Sequence, residues 1–563
     1  MPVSANDHAR VFEREASYKG KAYFELLART GLDMRAEHEL IPVYLPDPSK
    51  PTVLVSTETL VREDWNYSLA VLSPADTNWR TWGRKTLHQL ISTDEPFEPL
   101  IRTGKRAASS AAGVDELTLA EVPVAFLKSC TPGQHLVLAP PRPPLEYLYN
   151  LARYVKETPA DQLLSLRIHP TTWQPKLLGP APLPTVSAAL QEGTQPVIVQ
   201  GPPGTGKTYL AAQLISEALA RNERICVTSQ AHRGLMELAA KPALDQWRSA
   251  GHIRKMGLST AEQTELPELL AASDLTVPPG SALLATYYAL SQWVYAVPEE
   301  PVYDLLIIEE ASQAFLATIA LFSRLAKRVL LIGDPQQLPP ILEYEAQSAS
   351  HITDKAAVSA VKNGLETLAN STYATGLRLT HTWRLGPRAA RLTGLFYEGT
   401  LRSAPERESE PIGAASLPPA LQAASSLGDG PVCVHCPANT TDVSTWAVEQ
   451  AAQLAALQPQ ATLALLFPTQ LQVRTAQALA ASHPVLRHTR IETVDRMQGA
   501  TVDYAFYVLG DLGSGFGLQP NRFNVATSRA RRQTWVVVRG RGNAVEWIGG
   551  VVGCFWEGML GAG

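Results

Sequence analysis

The sequence predicts an α/β protein with two parallel sheets in tandem, preceded by a small β-barrel and helices. Three observations carry that prediction. From about Val186, apolar strand-like runs (PVIVQ, RICVTS, SALLAT, DLLIIEE and RVLLIGD) alternate with helical spacing, as in a parallel sheet whose strands are joined by helices. A second alternating set follows: PVCVHC, TLALLFP, DYAFYVLG and TWVVVRG. Upstream, the short runs ELIPVYL, TVLVSTETLV, YSLAVLS, ELTLAEVPVAFL and QHLVLAP are separated by Pro, Asp, Asn and Gly, which suits a small barrel.

In chain order, Phe12, Ala16, Tyr23 and Leu27 lie at helical spacing with charges between them. The barrel runs follow, and PPRPPLEYLYNLARYVKE returns to helix after its prolines. The expected division is an N-terminal helical segment over 1–35, the barrel over 36–140 and a stalk helix with linker over 141–185. The two sheets are expected over 186–370 and 371–563. The Pro-, Glu- and Ser-rich stretch from Ser403 to Gly430 reads as an exposed loop.

With 45% hydrophobic and 18% charged residues, the 563-residue chain reads as globular and soluble. Its net charge of −4 excludes a polycationic molecule, so nucleic acid could be bound only through local basic clefts. No lysine follows Lys362, so phosphate contacts from the C-terminal third would be made by arginine. Five cysteines argue against a disulfide framework. Cys433 and Cys436 form a C-x-x-C, but strand alternation points them to opposite faces, which disfavours zinc. The charged N-terminus lacks a signal sequence's apolar run, and the cytoplasm is the default expectation. Glu546 and Glu557 interrupt the apolar C-terminus, so no membrane span is expected.

The stretch GPPGTGKT fits G-x-x-x-x-G-K-[ST] between a strand and a helix. Gly201, Pro202, Pro203, Gly204, Thr205 and Gly206 form a turn whose N–H groups can face a phosphate, helped by the helix dipole. Lys207 can reach the outer phosphates, and Thr208 offers Mg²⁺ a hydroxyl. In DLLIIEEASQ, Glu309 and Glu310 stand at the end of an apolar strand, where open α/β sheets place ligands. Two carboxylates there divide between a Mg²⁺ partner and a group that orients water. RVLLIGDPQQLPPI repeats the geometry and offers Gln337, whose amide can bond both a phosphate oxygen and a water.

In order, GPPGTGKT, VTSQAH, LLATYYAL, EEASQA and GDPQQLPP resemble the motifs of superfamily 1 helicases. LTHTWRLGPRAARLTGLFYEGTL, LLFPTQLQV, VDRMQGATVDYAF and NRFNVATSRARR are similar to the family's later motifs, so the resemblance runs from about Val186 to the C-terminus. Within the superfamily the chain looks closest to the 5′-to-3′ branch of up-frameshift RNA helicases and their DNA relatives. The resemblance implies two RecA-like domains, ATP and Mg²⁺ as cofactors, and a nucleic-acid-stimulated ATPase that translocates 5′-to-3′ on single-stranded DNA or RNA, with DNA favoured. It implies that Lys207 and Thr208 hold phosphates and Mg²⁺, with Glu309 on the metal through water. Glu310 is then the base-like residue, Gln337 the γ-phosphate sensor, and Arg384 and Arg529 the arginines that arrive from the second domain. Gln498 and Gly499 join the nucleotide site, although Gln498 also falls where the family couples ATP to its track. His232, Thr286, Pro339, Pro340 and Thr493 match positions along that single-strand track.

The chain departs from the family in four places, one of them TWR in place of the usual tyrosine-arginine, which keeps an aromatic. Glu309 stands where aspartate is usual, no glutamine is evident at the usual spacing before the P-loop, and QGAT lacks the acidic residue often seen after QG. The alternative reading is an ATP-gated nucleic-acid-binding module with slow hydrolysis, working with protein partners in a repair, replication, mobile-element or defence complex. A non-helicase P-loop NTPase would leave Arg384, Arg529 and the QG motif unexplained.

Overall fold

The structure is a computed structural model that describes residues 5–36, 39–59, 61, 66–91, 97–158, 173–193, 195–342, 359, 361–371, 373–405, 416–437, 440, 442–510, 515–539 and 549–560. Helix α1 (Ala5–Leu27) packs along α2 (Leu145–Glu157), with Lys156 on Glu13. The apolar face of α2, including Leu148, Leu151 and Val155, is buried at three- and four-residue spacing. Both helices share a hydrophobic cluster with Ile308 and Leu331 of the first sheet, and Phe12 meets Phe315 edge-on at 5.2 Å.

Between these helices, six antiparallel strands close on themselves in the order β1-β2-β5-β4-β3-β6. They are β1 (Ile41–Leu45), β2 (Thr52–Ser56), β3 (Asn66–Val71), β4 (Phe97–Ala108), β5 (Val114–Leu119) and β6 (Gln134–Ala139). Val43, Val53, Leu69, Leu117 and Leu136 fill the interior. Strand β4, FEPLIRTGKRAA, was not among the expected runs; its charges break the apolar signal, and pairing to β3 and β5 defines it.

The first parallel sheet has nine strands in the order β11-β10-β12-β9-β13-β14-β8-β15-β7. The five expected runs are β8 (Val197–Gln200), β9 (Ile225–Ser229), β12 (Ala282–Thr286), β13 (Tyr303–Ile308) and β14 (Ala326–Gly333). Short strands β7 (Lys176–Leu178), β10 (Ile253–Lys255), β11 (Leu270–Ala271) and β15 (Thr375–Leu379) extend it. Strand β7 lies in the segment expected as linker and β15 in the one expected to open the second domain; both join the first sheet. Helices α3 (Lys207–Ala220), α4 (His232–Ala239) and α5 (Thr260–Glu265) follow β8, β9 and β10. The barrel touches this sheet beside α5, where Pro123 pairs with Ser259 and Thr260 N donates to Val122 O at 3.1 Å.

A two-stranded ribbon, β16 (His381–Thr382) with β17 (Arg402–Ser403), precedes the second parallel sheet, which runs β18-β22-β21-β19-β20. Its strands are β18 (Gly430–Cys436), β19 (Leu463–Phe467), β20 (Arg490–Thr493), β21 (Val502–Gly510) and β22 (Ala530–Arg539). Cys433 and Cys436 pack into two different clusters on opposite faces of β18. Part of the expected exposed loop lies outside the described residues, and the rest is corrected: Pro419–Ser425 is a helix that buries Leu421 against β18. Helix α6 (Pro520–Thr527) leads into β22, and α7 (Gly550–Met559) packs Phe555 and Trp556 against Phe523. Among the described residues no helix is long and apolar enough to cross a membrane.

Candidate nucleotide site between the two sheets

The P-loop turn leaves β8 and enters α3 through backbone that only glycine adopts readily. Gly204 and Gly206 have φ of +74° and +81°. Space imposes the same choice, since a Cβ on Gly204 would stand 2.3 Å from Arg384 Cβ and 2.6 Å from Thr382 Oγ1. Thr205 closes the turn by donating its hydroxyl to Pro202 O at 2.8 Å, and Lys207 Nζ donates to Gly201 O at 2.7 Å. The lysine is thus folded back over the turn, with a neutral carbonyl where an anion would compete for it.

A cavity of about 620 Å³ opens over this turn, within the usual ~300–1,000 Å³ of small-molecule sites. Lys207, Thr208, Glu309, Glu310, Gln337, Arg384 and Arg529 all line it, as do Pro203, Gly204, Thr205, Gly206, Gln498 and Gly499. Gly201 and Pro202 belong to the turn but not to the cavity's lining.

Glu309 is 3% exposed, and its carboxyl is pushed up to about 7 by burial and by Glu310 beside it, against the pull of the Thr208 hydroxyl and Lys207. A buried carboxyl raised in this way and bonded to the P-loop threonine is a fitting partner for a cation. Glu310 takes a left-handed backbone, φ +49°, which is uncommon for a side-chain-bearing residue and characteristic of functional sites. Tyr287 holds this turn by donating its hydroxyl to Glu309 O at 2.9 Å.

The second half of the chain reaches the same cavity. Gln498 donates Nε2 to Glu310 Oε2 at 3.3 Å and accepts from Gln313 Nε2 at 2.7 Å. Trp383 N donates to Gly204 O at 2.8 Å, and Thr382 Oγ1 donates to Pro203 O at 2.9 Å, so the TWR segment lies directly on the P-loop. Arg384 Nη1 donates to Ser528 O at 3.1 Å. Burial, together with Arg529 and Arg531, pushes the Arg384 guanidinium down to about 9. Arg529 is 1% exposed and donates to the neutral oxygens of Val525, Ala500 and Ser528; burial pushes it down to about 10. Two guanidinium groups and an ammonium therefore converge in a partly dehydrated space. That charge balance, with the glycine cradle, fits a polyphosphate.

Thr382 and Gln313 were not singled out from sequence, although each lies in a quoted motif, and Trp383 was noted only as the aromatic in place of a tyrosine. Only the folded chain brings them to the P-loop and to Gln498. Arg490, Arg496 and Arg531 also line the cavity, in line with the arginine supply of the C-terminal third.

The residues expected along the track differ in exposure. His232 is half exposed at the start of α4. Its Nδ1 lies 2.7 Å from Lys255 Nζ, a fully buried ammonium that also donates to Glu262 Oε2 at 2.9 Å. With Lys255 donating to Nδ1, the neutral ring carries its proton on Nε2. Burial on the enclosed side and the Lys255 charge lower His232 to about 4. Thr286 is buried and caps the turn after β12 by accepting from Ala289 N, and Thr493 is buried at the end of β20. Pro340 is buried and Pro339 partly so, whereas Ile341 beside them is exposed.

A parallel sheet with a P-loop and paired carboxylates, met by Arg384 from the segment after β16 and Arg529 from the start of β22, defines a P-loop nucleotide-binding fold of the two-sheet type. Residues 183–361 match the AAA domain family. The chain is 25% identical over 450 residues to the DNA-binding protein SMUBP-2 of Mesocricetus auratus, covering 66% of this chain and 44% of that protein. It is 23% identical over 154 residues to the DNA replication ATP-dependent helicase/nuclease DNA2 of Saccharomyces cerevisiae, covering 26% of this chain and 10% of that one. The chain thus spans less than half the length of these curated relatives. A crystal structure of Arterivirus nonstructural protein 10 (helicase) aligns with 87% of this chain and 79% of its own at 13% identity, with a TM-score of 0.37. In its ordered motifs and in these matches the chain is similar to superfamily 1 helicases, at the low identities of a divergent sequence.

Proposed function

We propose that the chain is an ATP-driven 5′-to-3′ translocase and helicase on single-stranded nucleic acid, with DNA preferred. The observation that carries this reading is the shared cavity: Arg384 and Arg529 line the same space as Lys207 and Glu310. Arg529 enters from the start of β22 in the second sheet and Arg384 is bonded to Ser528 beside it, so nucleotide occupancy is a force that draws the second sheet toward the first, and a motor needs that coupling. Lys207 and the P-loop N–H groups bind the phosphates, and Glu310 and Gln337 orient the attacking water. Arg384 and Arg529 neutralise charge spreading over the transferring phosphoryl group. Thr208 and Glu309 would hold Mg²⁺ through water, and the ion supplies Lewis acidity at the phosphate oxygens. DNA is favoured because the relatives' names speak of DNA binding and DNA replication. Direction rests on the resemblance to the 5′-to-3′ branch.

The test is turnover with DNA and RNA oligomers, followed by unwinding of tailed duplexes. A duplex with a 5′ single-stranded tail is expected to be opened with ATP and Mg²⁺, and one with only a 3′ tail is not. Binding is expected to weaken steeply with salt, because phosphate contacts release counterions. Preference for the 3′ tail would overturn the direction. Strand-stimulated turnover with no unwinding would point to a translocase that needs a partner, and strand binding with negligible turnover to the gated module.

His232 is expected to meet the strand as a neutral Nε2–H donor. Its lowered value keeps it uncharged between about pH 6 and 8, so acidification over that range adds no cation at this position. Strand affinity measured by anisotropy should therefore respond to pH alike in wild type and in His232→Ala. A rise at pH 6 found only in wild type would show that the ring binds as a cation.

A further inference from the structure

Behind the phosphate cavity, a chain of buried hydrogen bonds joins the two sheets, and the roles given above do not use it. Its hub is Asp334, which is 1% exposed. The carboxylate accepts from Tyr397 OH at 2.6 Å, Gln337 Nε2 at 2.9 Å, Gln336 N at 3.2 Å and Gln200 Nε2 at 3.3 Å. Tyr397 is fully buried. Its hydroxyl proton goes to Asp334, which leaves its oxygen to accept from Asn524 Nδ2 at 2.8 Å.

Asn524 lies in α6 and donates again to Gln336 O at 2.9 Å. Asn521, one turn earlier, donates to Gln337 O at 2.7 Å and to Pro335 O at 3.2 Å. Helix α6 is thus fastened to the Pro335–Gln337 turn of the first sheet by side-chain amide donors. Asn524 Oδ1 is buried with no hydrogen-bond partner. An orphaned buried acceptor is costly. What Asn524 contributes to the chain is its two donated hydrogen bonds.

Two residues past the far end of α6 stands Arg529. Ser528 Oγ donates to Asn524 O at 2.6 Å, and Arg529 Nη2 donates to Ser528 Oγ at 3.3 Å. Gln337 on one wall of the cavity is therefore connected to Arg529 on the other through Asp334, Tyr397, Asn524 and Ser528. Gln337 spends one amide proton on Asp334, which fixes how its side chain faces the cavity. We propose that Tyr397 and Asn524 are positioning residues that set Gln337 and Arg529 relative to each other through Asp334. This deepens the ATP-turnover reading and rests on it.

Tyr397→Phe removes one oxygen and keeps the ring. Nucleotide affinity is expected to stay within about twofold, while turnover falls by about 10- to 100-fold, the scale of a small misplacement of catalytic groups. Because the hydroxyl acts by setting Gln337 against Arg529, an alignment already lost without the Gln337 amide, adding Tyr397→Phe to Gln337→Ala is expected to cost less than the product of the two single losses. Additive losses, or wild-type turnover in Tyr397→Phe, overturn the proposal. Amide hydrogen exchange gives a readout that needs no activity: residues 335–337 and 520–529 are expected to exchange faster together in Tyr397→Phe, and a change confined to one segment overturns the relay. Wild-type hydrolysis that ignores single strands would sink the helicase reading and leave the relay to the double-variant cycle. Absent hydrolysis would leave it to the exchange measurement.

Discussion

Lys207→Ala is expected to reduce ATP turnover by about 10³-fold or more, because two electrostatic functions are lost together. The first is direct. The ammonium, bound to Gly201 O at 2.7 Å, is the cation the P-loop itself supplies, and a carbonyl is a weak competitor for it against a phosphate. The second is indirect. Lys207 also pulls the buried carboxyl of Glu309, raised to about 7, downward, so its removal leaves that group more protonated and less able to serve a cation. The fold should tolerate the change, because Lys207 is only partly buried at the helix start and, among the described residues, its hydrogen bond goes to a neutral carbonyl. Phosphate release measured beside a thermal melt checks this. Turnover within about tenfold of wild type at unchanged stability would remove the lysine from the reaction.

Arg529→Ala is expected to cost about 10³-fold in turnover, the scale at which arginines act on a transferring phosphoryl group. Arg529 is bonded to neutral oxygens among the described residues, and burial lowers its guanidinium, so an incoming anion gains an interaction that is not already spent on a carboxylate. Arg384, from a different segment and bonded to Ser528 O, should show a loss of the same order. Arg529 is among the largest fully buried side chains, and alanine could weaken the fold by leaving a cavity. Arg529→Lys keeps the charge and most of the volume but loses the fork, and an intermediate rate is expected from it. Single-turnover rates with nucleotide affinity measured alongside separate the two effects. Near-normal rates in both alanine variants would make the arginines structural.

Much of the site was legible because its chemistry is local in sequence. Gly201 to Thr208 is one turn, Glu309 and Glu310 are adjacent, and Gln337 closely follows a strand whose apolar run announces its end. The five apolar strands of the first sheet and four of the second were readable for the same reason: strands buried on both faces are continuous apolar runs. Strands β4, β7, β10, β11, β15 and β20 were not, since each is short or interrupted by charge and becomes a strand only through its neighbour.

What the sequence determined by itself was the presence of a P-loop with its carboxylates and of arginines arranged in a recognisable order. The tertiary structure decided which groups meet. It laid Thr382 and Trp383 on the P-loop, joined Gln498 to Glu310, and buried Thr286 and Thr493, both expected along the track. It also made Asp334, Tyr397 and Asn524 one hydrogen-bonded chain from positions 334, 397 and 524. Local patterns set the phosphate turn because backbone conformation depends on near neighbours. The meeting of the two sheets depends on packing between residues far apart in the chain, which no short window of sequence records.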